Sequence, residues 1–140
     1  MGAPGALSVA AGESPADKAL QLEALLGQHS VLAADLMRGR IRNDDDFGQA
    51  ANVAVTRNTD DLTAMVGSLF GDHAATAFRG LWTEHVTALF TYSRGLATND
   101  PAVRDQAKTQ LVAFENGLAD FFSSASQGRL PRDAARTAVQ

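Results

Sequence analysis

Two histidines occupy apolar helical positions where leucine would be expected, and they are the residues of this chain best suited to chemistry. His29 lies within LLGQHSVLAADLM and His85 within LWTEHVTALF. Imidazole is the commonest ligand for zinc, copper and iron, and helical bundles build such sites from facing helices. Asn58 and Asp61, on an intervening helical segment, could join them. The sequence therefore predicts a transition-metal site at His29, His85, Asn58 and Asp61, with copper or zinc as the ion.

Other interpretations of these residues stay open. The histidines could be structural core residues that hydrogen-bond to Asn58 or Asp61, in a structural or protein-interaction module; burial would then keep them neutral. They could also be the two axial ligands of a b-type haem, with small residues nearby leaving a slot for the macrocycle. Glu84 and Glu115 are less well placed as additional metal ligands. The Glu-x-x-His pairs of di-iron proteins are absent from the sequence.

Composition excludes several classes of function. The chain has 140 residues, a formal charge of -4 and no cysteine, so thiolate catalysis, disulfides and cysteine metal sites are ruled out. Its 12 Lys and Arg residues are scattered, which argues against nucleic acid or an anionic membrane as partner. There is no apolar run long enough to span a bilayer, and neither a nucleophilic triad nor a phosphate-binding glycine loop. We therefore expect a non-enzymatic protein.

Two further polar features have ordinary structural explanations. His73 follows a helix cap and is predicted to be a solvated surface residue. The acidic run Asn43-Asp44-Asp45-Asp46 lacks the spacing of a calcium loop, and helix capping with the helix dipole explains it.

Capping signals divide the chain into helices. Ser14-Pro15-Ala16-Asp17 predicts a start at Pro15, and that helix should run to about Arg40. Asn43-Asp44 predicts the start of a second helix, which Gly71 ends, and Asp72 is the predicted cap of a third. Asn99-Asp100-Pro101 predicts the start of a fourth helix, which Gly128 ends, and Leu130-Pro131 predicts the start of a fifth. Short connections make successive helices antiparallel. The prediction is an all-α, up-down-up-down four-helix bundle in one domain, residues 14–140, after a flexible segment, residues 1–13.

Apolar residues spaced three and four apart mark the predicted buried face of each helix. The residues are Leu22, Leu25, His29, Leu32 and Leu36; then Phe47, Ala51, Ala54, Asn58, Leu62, Met65 and Leu69; then Phe78, Leu81, His85, Ala88 and Tyr92; and finally Val103, Ala107, Leu111, Phe114, Leu118 and Phe121. His29, Asn58 and His85 fall near the middle of their helices. We therefore expect them to meet in one layer.

The chain also aligns with itself after a shift of 56 residues. Ten positions then match, and they include both helix ends, both caps and the two histidines, His29 with His85. This pattern indicates a helical hairpin duplicated in tandem.

The combination Gly27-x-His29, Met37-Arg38, Asn58-Thr59 and Leu81-Trp82-x-x-His85 resembles a family of exported helical proteins from Gram-positive bacteria, over about residues 20–131. The resemblance implies an extracytoplasmic location and no established activity. Family members continue past Leu130-Pro131 with further helices that carry additional histidines. A site built from both parts would be completed by that missing region or by a second copy, so the resemblance also predicts a homodimer.

Overall fold

A computed structural model describes residues 12–139 of the protein and confirms the all-α prediction. The five helices in the described part are α1 Pro15–Arg42, α2 Asp45–Phe70, α3 Asp72–Ala97, α4 Pro101–Ala125 and α5 Arg132–Val139. Most of the predicted flexible segment, residues 1–11, lies outside the described residues.

The start of α1 follows the predicted capping box. The Ser14 hydroxyl accepts a hydrogen bond from the Asp17 backbone N–H at 3.1 Å, and the Asp17 carboxylate accepts one from the Ser14 backbone N–H at 3.1 Å. The predicted cap of α3 was wrong. Asp72 is the first residue of α3, and the capping position belongs to Gly71, which has no side chain to offer.

The turns of the two hairpins are built alike. In the first, Asn43 is left-handed at φ 54° and the Asp44 N–H donates to the Gly39 carbonyl at 2.9 Å. In the second, Asn99 has φ 52° and the Asp100 N–H donates to the Gly95 carbonyl at 2.8 Å. Asparagine tolerates this backbone region better than most residues. Each aspartate then caps the next helix through its side chain.

Two glycines let the helices of each hairpin approach closely at these turns. A Cβ built on Gly39 would lie 2.8 Å from the Cα of Gly48, and one on Gly95 would lie 2.7 Å from the Cγ of Arg104. The 56-residue shift aligns Gly39 with Gly95 and Gly48 with Arg104. The duplication read from the sequence thus extends to the contacts at the hairpin ends.

The two hairpins are joined by one residue. Gly71 alone separates α2 from α3, with φ 90° and ψ 170°. Residues with a Cβ rarely adopt this conformation, whereas glycine does so readily. Gly71 therefore reverses the chain without a loop.

α3 is the central helix of the bundle, because it packs against α1, α2 and α4. α1 and α2 also pack together, but neither makes a comparable interface with α4. The predicted square of helices is therefore open between α1 and α4: α1, α2 and α3 pack on one another, and α4 packs on α3. The core has two clusters, Leu62, Val66, Phe78, Trp82 and Leu118 in one and Leu36, Ala51 and Val55 in the other. Val86 packs against both.

The predicted buried faces hold in the middle of the helices and fail at the ends of α2. Phe47 and Leu69 are exposed although the sequence pattern placed them inside. Both lie in terminal turns of α2, where fewer neighbouring helices can cover them. The short α5 packs on α4, where Arg132 pairs with Asp120 and Ala135 is buried.

Candidate metal site

A buried hydrogen-bond network fixes His29 to α2. Its Nδ1 lies 3.0 Å from the Oδ1 of Asn58, and both residues are buried. The Asn58 amide Nδ2 donates to the backbone carbonyl of Leu25 at 3.0 Å and to the Oε1 of Gln28 at 3.0 Å. Both of these are acceptors only, so the amide nitrogen of Asn58 must face them. The amide oxygen must then face His29.

This orientation determines the tautomer of His29. Because the Asn58 oxygen can only accept, His29 donates from Nδ1, and the neutral ring carries its lone pair on Nε2. That Nε2 is buried and has no hydrogen-bond partner. In metal sites, ligating histidines usually donate their other ring N–H to a carbonyl or carboxylate that fixes the tautomer. Asn58 likewise accepts the Nδ1–H of His29 and fixes its tautomer.

The second histidine lies beside the first. The ring centroids of His29 and His85 are 5.3 Å apart, with the planes tilted by 42°. Nδ1 of His85 is also buried without a hydrogen-bond partner. Two imidazoles bound to one ion at about 2.0–2.1 Å, with a trigonal or tetrahedral angle between them, have centroids roughly 5–5.5 Å apart. The observed separation suits a shared ion.

Aromatic side chains enclose the two imidazoles. Phe114 stacks on His85 with centroids 4.4 Å apart and an angle of 16°. Trp82 touches both histidines, with centroid distances of 4.8 Å to His29 and 5.0 Å to His85. The Nε1 of Trp82 is a third buried nitrogen without a partner. Buried polar atoms are nearly always paired, so three unpaired nitrogens on neighbouring side chains mark this layer as unusual.

Burial keeps both histidines neutral. Burial lowers the pKa of His29 below its ordinary value, and the hydrogen bond to Asn58 offsets part of this effect. The pKa of His85 is lowered to about 4, mainly by burial and also by charge repulsion from His29. The backbone carbonyl of Trp82 lies nearby and partly raises the pKa of His85. It does not, however, form a hydrogen bond with the Nδ1 of His85. Both rings can therefore present lone pairs at mildly acidic pH.

The structure brings together three of the four predicted site residues. His29, Asn58 and His85 meet in the predicted layer, whereas Asp61 is exposed and lines a surface groove with Leu25 and Met65. Asp61 is three residues from Asn58, a rotation of about 60° around the helix, which turns it out of the core. Asn58 is also not free to be a ligand, because its oxygen and its amide nitrogen are both engaged. We assign it as the residue that positions His29.

The remaining titratable candidates lie elsewhere. Glu84 and His73 are exposed, and Glu115 is only partly buried. Within residues 12–139, no group of three or more His, Asp or Glu side chains is close enough to hold a metal ion. A metal at this layer would therefore have two histidine ligands from the described chain.

Sequence reasoning missed the contributions of Gln28 and Phe114. Gln28 is exposed and reaches Asn58 from the edge of the layer, which no spacing rule would predict. Phe114 was assigned to the core, but its stacking on His85 was not foreseen. The internal repeat could have predicted this contact. The 56-residue shift aligns Asn58 with Phe114 and His29 with His85, so Phe114 should contact His85 as Asn58 contacts His29.

Comparisons with protein-family models, with curated proteins and with solved structures give no match to this chain. In the described residues, no helix is both long and apolar enough to cross a membrane.

Proposed function

We propose that the protein binds one transition-metal ion, copper or zinc, through Nε2 of His29 and Nδ1 of His85. The observation that supports this most directly is the tautomer of His29. Asn58 holds its Nδ1–H and leaves a buried, unpaired lone pair on Nε2, beside a second, partly buried imidazole whose Nδ1 is buried and unpaired. Such an arrangement is costly for folding alone and is the one a metal ligand requires.

The ligand set favours monovalent copper over zinc. Both imidazoles are neutral, and the desolvation cost of an ion rises with the square of its charge. A divalent ion between two neutral ligands would keep its full charge in an apolar layer, and zinc usually takes three or four protein ligands. A monovalent ion avoids most of this cost. The centroid separation of 5.3 Å implies a bent arrangement of the two imidazoles, and two-coordinate Cu(I) is linear, so the proposal includes a third ligand from solvent or from outside residues 12–139.

The same geometry argues for an ion rather than haem. Two axial imidazoles must face each other across a flat macrocycle, which needs an open slot between the rings. Here Trp82 lies against both imidazoles and Phe114 covers His85. A haem would have to displace these aromatic side chains.

Metal titration of purified protein against a chromophoric chelator tests the proposal, under reducing conditions for Cu(I) and separately with Zn(II). We expect one Cu(I) per chain, bound more tightly than Zn(II). His29→Phe and His85→Phe should each abolish binding. His73→Phe is the matched control, because it removes the third, exposed histidine of the described chain and should change nothing. Asn58→Ala should keep the stoichiometry and weaken affinity about 10–100-fold, as loss of a ligand-orienting residue does.

The pH dependence supplies a second readout. Protons should compete with the metal for His85 only near pH 4, and for His29 only below the ordinary histidine pKa, because both pKa values are lowered. Equal metal binding by wild type and a His29→Phe/His85→Phe double variant would refute the proposal. A double variant that differs from wild type only in stability would leave the layer as a structural feature of an interaction module. A Soret band that the double variant lacks would favour haem instead.

The resemblance to exported proteins adds an expected setting. We include an extracytoplasmic location in the proposal, where a bound ion would be exchanged outside the cell membrane. Cell fractionation with an antibody to the native chain tests this part independently of metal binding.

A further inference from the structure

The outer face of α1 is apolar along most of its length. From Leu20 to Ala34 its exposed apolar residues recur every three or four positions on the side opposite the core, and Ile41 follows beyond Arg38, which lies on the same face. The apolar residues are Leu20, Ala24, Gly27, Val31, Ala34 and Ile41. We call this set the α1 outer stripe. Leu20 is 65% exposed and Val31 is 62% exposed, the highest values among the large hydrophobic residues of the described chain. A helix with apolar residues on both faces normally buries both.

The outer faces of the neighbouring helices differ from this one. α2 also exposes large hydrophobic residues, but Arg57, Asp60 and Asp61 lie between Val53 and its C-terminal end, where Leu69 and Phe70 are exposed. On α4, exposed Asp105 and Lys108 precede Val112, its one exposed large hydrophobic residue. Between Leu20 and Ala34, charged residues flank the α1 outer stripe without interrupting it. The contrast indicates that α1 is the face of the bundle suited to a protein partner.

The centre of the stripe permits close approach of another helix. A Cβ built on Gly27 would meet no atom within 4 Å, so this part of the surface is open. Small residues at Ala24, Gly27 and Ala34 alternate with Leu20 and Val31, which gives a shallow surface with room for opposing side chains.

The distribution of charge along α1 favours a second copy of the chain packed antiparallel. The N-terminal half of α1 carries Asp17, Lys18 and Glu23, a net negative charge, and the C-terminal half carries Asp35, Arg38, Arg40 and Arg42, a net positive charge. A second copy of α1 laid antiparallel would bring Glu23 of each copy against Arg38 of the other, at the cost of placing Asp17 beside the partner's Asp44, whereas a parallel copy would bring every like charge together. Antiparallel packing also aligns the helix dipoles favourably.

We propose that the α1 outer stripe binds a second copy of this chain, with the two α1 helices antiparallel around a two-fold axis near Ser30. In this register Leu20 faces the partner's Ile41, Glu23 faces the partner's Arg38, and Gly27 faces the partner's Ala34. The contact is isologous, as expected for a two-fold dimer. It lies on the opposite side of α1 from His29, so it is separate from the proposed metal site.

The size of the stripe sets the expected affinity. From Leu20 to Ile41 it is roughly 30 Å long at 1.5 Å per residue. One helix face of that length is smaller than the roughly 800 Å² per partner of a standard interface. The dimer should therefore be weak and should dissociate on dilution.

Sedimentation velocity over a wide range of protein concentration tests the interface. For wild type, the average mass should rise with concentration from 14.7 kDa toward twice that value. Val31→Lys should keep the protein monomeric throughout. Val112→Lys is the matched control, since it makes the same change at a similarly exposed valine on α4, 53% exposed, and should dimerise like wild type. Thermal unfolding of each variant checks that the fold is kept.

A charge exchange tests the direction. Glu23→Arg should weaken the dimer, and Glu23→Arg combined with Arg38→Glu should restore it, although Arg38 also pairs with Asp35 of its own helix. Failure of the double variant to restore association would overturn the antiparallel register. Wild type that stays monomeric at millimolar concentration would overturn the dimer. If dimers then formed only after residues 1–11 were deleted, that segment rather than a second copy would be the occupant of the stripe.

Discussion

The two hairpins share a backbone design and differ in the chemistry of their middle layer. Their turns use the same left-handed asparagine, capping aspartate and close glycine. At the position 56 residues apart, however, the first hairpin has Asn58 and the second has Phe114. One histidine is therefore hydrogen-bonded and the other is stacked on an aromatic ring. The comparison shows that the polar partner of a core histidine can be exchanged while the hairpin geometry stays constant.

Replacing the partner of each histidine separates these two environments most strongly. Asn58→Leu leaves the Nδ1 of His29 buried and unpaired in either tautomer, and should lower the free energy of unfolding by about 2–3 kcal/mol. Phe114→Leu removes only part of a half-buried stack and should cost about 1 kcal/mol. Urea unfolding of both variants at pH 7.5 measures the difference. Equal losses would mean that the hydrogen bond gives His29 no special support.

Acid should destabilise the protein through both histidines, and more through the second. Their pKa values are lower in the folded chain than the ordinary value near 6.5, so the unfolded chain binds more protons as pH falls. The stability is fully present above pH 6.5 and is lost as pH falls toward about 4. At pH 5 the loss from His85 should be about 2 kcal/mol.

The variant His85→Phe isolates that contribution. Its free energy of unfolding should change between pH 7.5 and pH 5 by less than half of the wild-type change, with the remainder arising from His29. His73→Phe should retain the full wild-type change. A His85→Phe protein as acid-sensitive as wild type would show that the second histidine is not held neutral by burial.

The hairpin turns provide the smallest contrast. Gly39→Ala places a methyl group against the backbone of Gly48, which cannot move easily, and should cost about 1–2 kcal/mol despite the better helix propensity of alanine. Gly95→Ala meets the Cγ of Arg104 at 2.7 Å and backbone atoms only at 3.0 Å and beyond, so it should cost somewhat less than Gly39→Ala. Thermal unfolding of the two variants ranks them. The reverse order would show that the turns pack differently from their apparent likeness.

Local signals predicted the scaffold well. Serine, asparagine, aspartate and proline at the helix ends act within a few residues, so the starts of α1, α2 and α4 followed from the sequence. The constant rise of 1.5 Å per residue was enough to place His29, Asn58 and His85 at one height. The duplication gave the equivalence of the two turns.

Facts that depend on tertiary contacts could not be predicted in the same way. Asp61 was expected in the layer because of its height, but its angle around α2 turns it outward. The tautomer of His29 depends on the Leu25 carbonyl and Gln28, which constrain Asn58 from another helix. Phe47 and Leu69 follow the apolar spacing, yet the ends of α2 lack neighbours to cover them. The direction of Asp61, the tautomer of His29 and the exposure of the α2 ends can be determined only from the packed structure.

Gly71 has a consequence for how the two hairpins stay within one molecule. The only residue between α2 and α3 has a backbone conformation that glycine adopts and other residues resist, while a Cβ there would meet no neighbouring atom. If residue 71 adopted helical backbone angles instead, α2 and α3 could form one continuous helix from Asp45 to Ala97. The two hairpins would then separate and could exchange with those of another chain. We therefore expect the backbone conformation of Gly71 to favour two hairpins within one chain over a domain-swapped pair of chains.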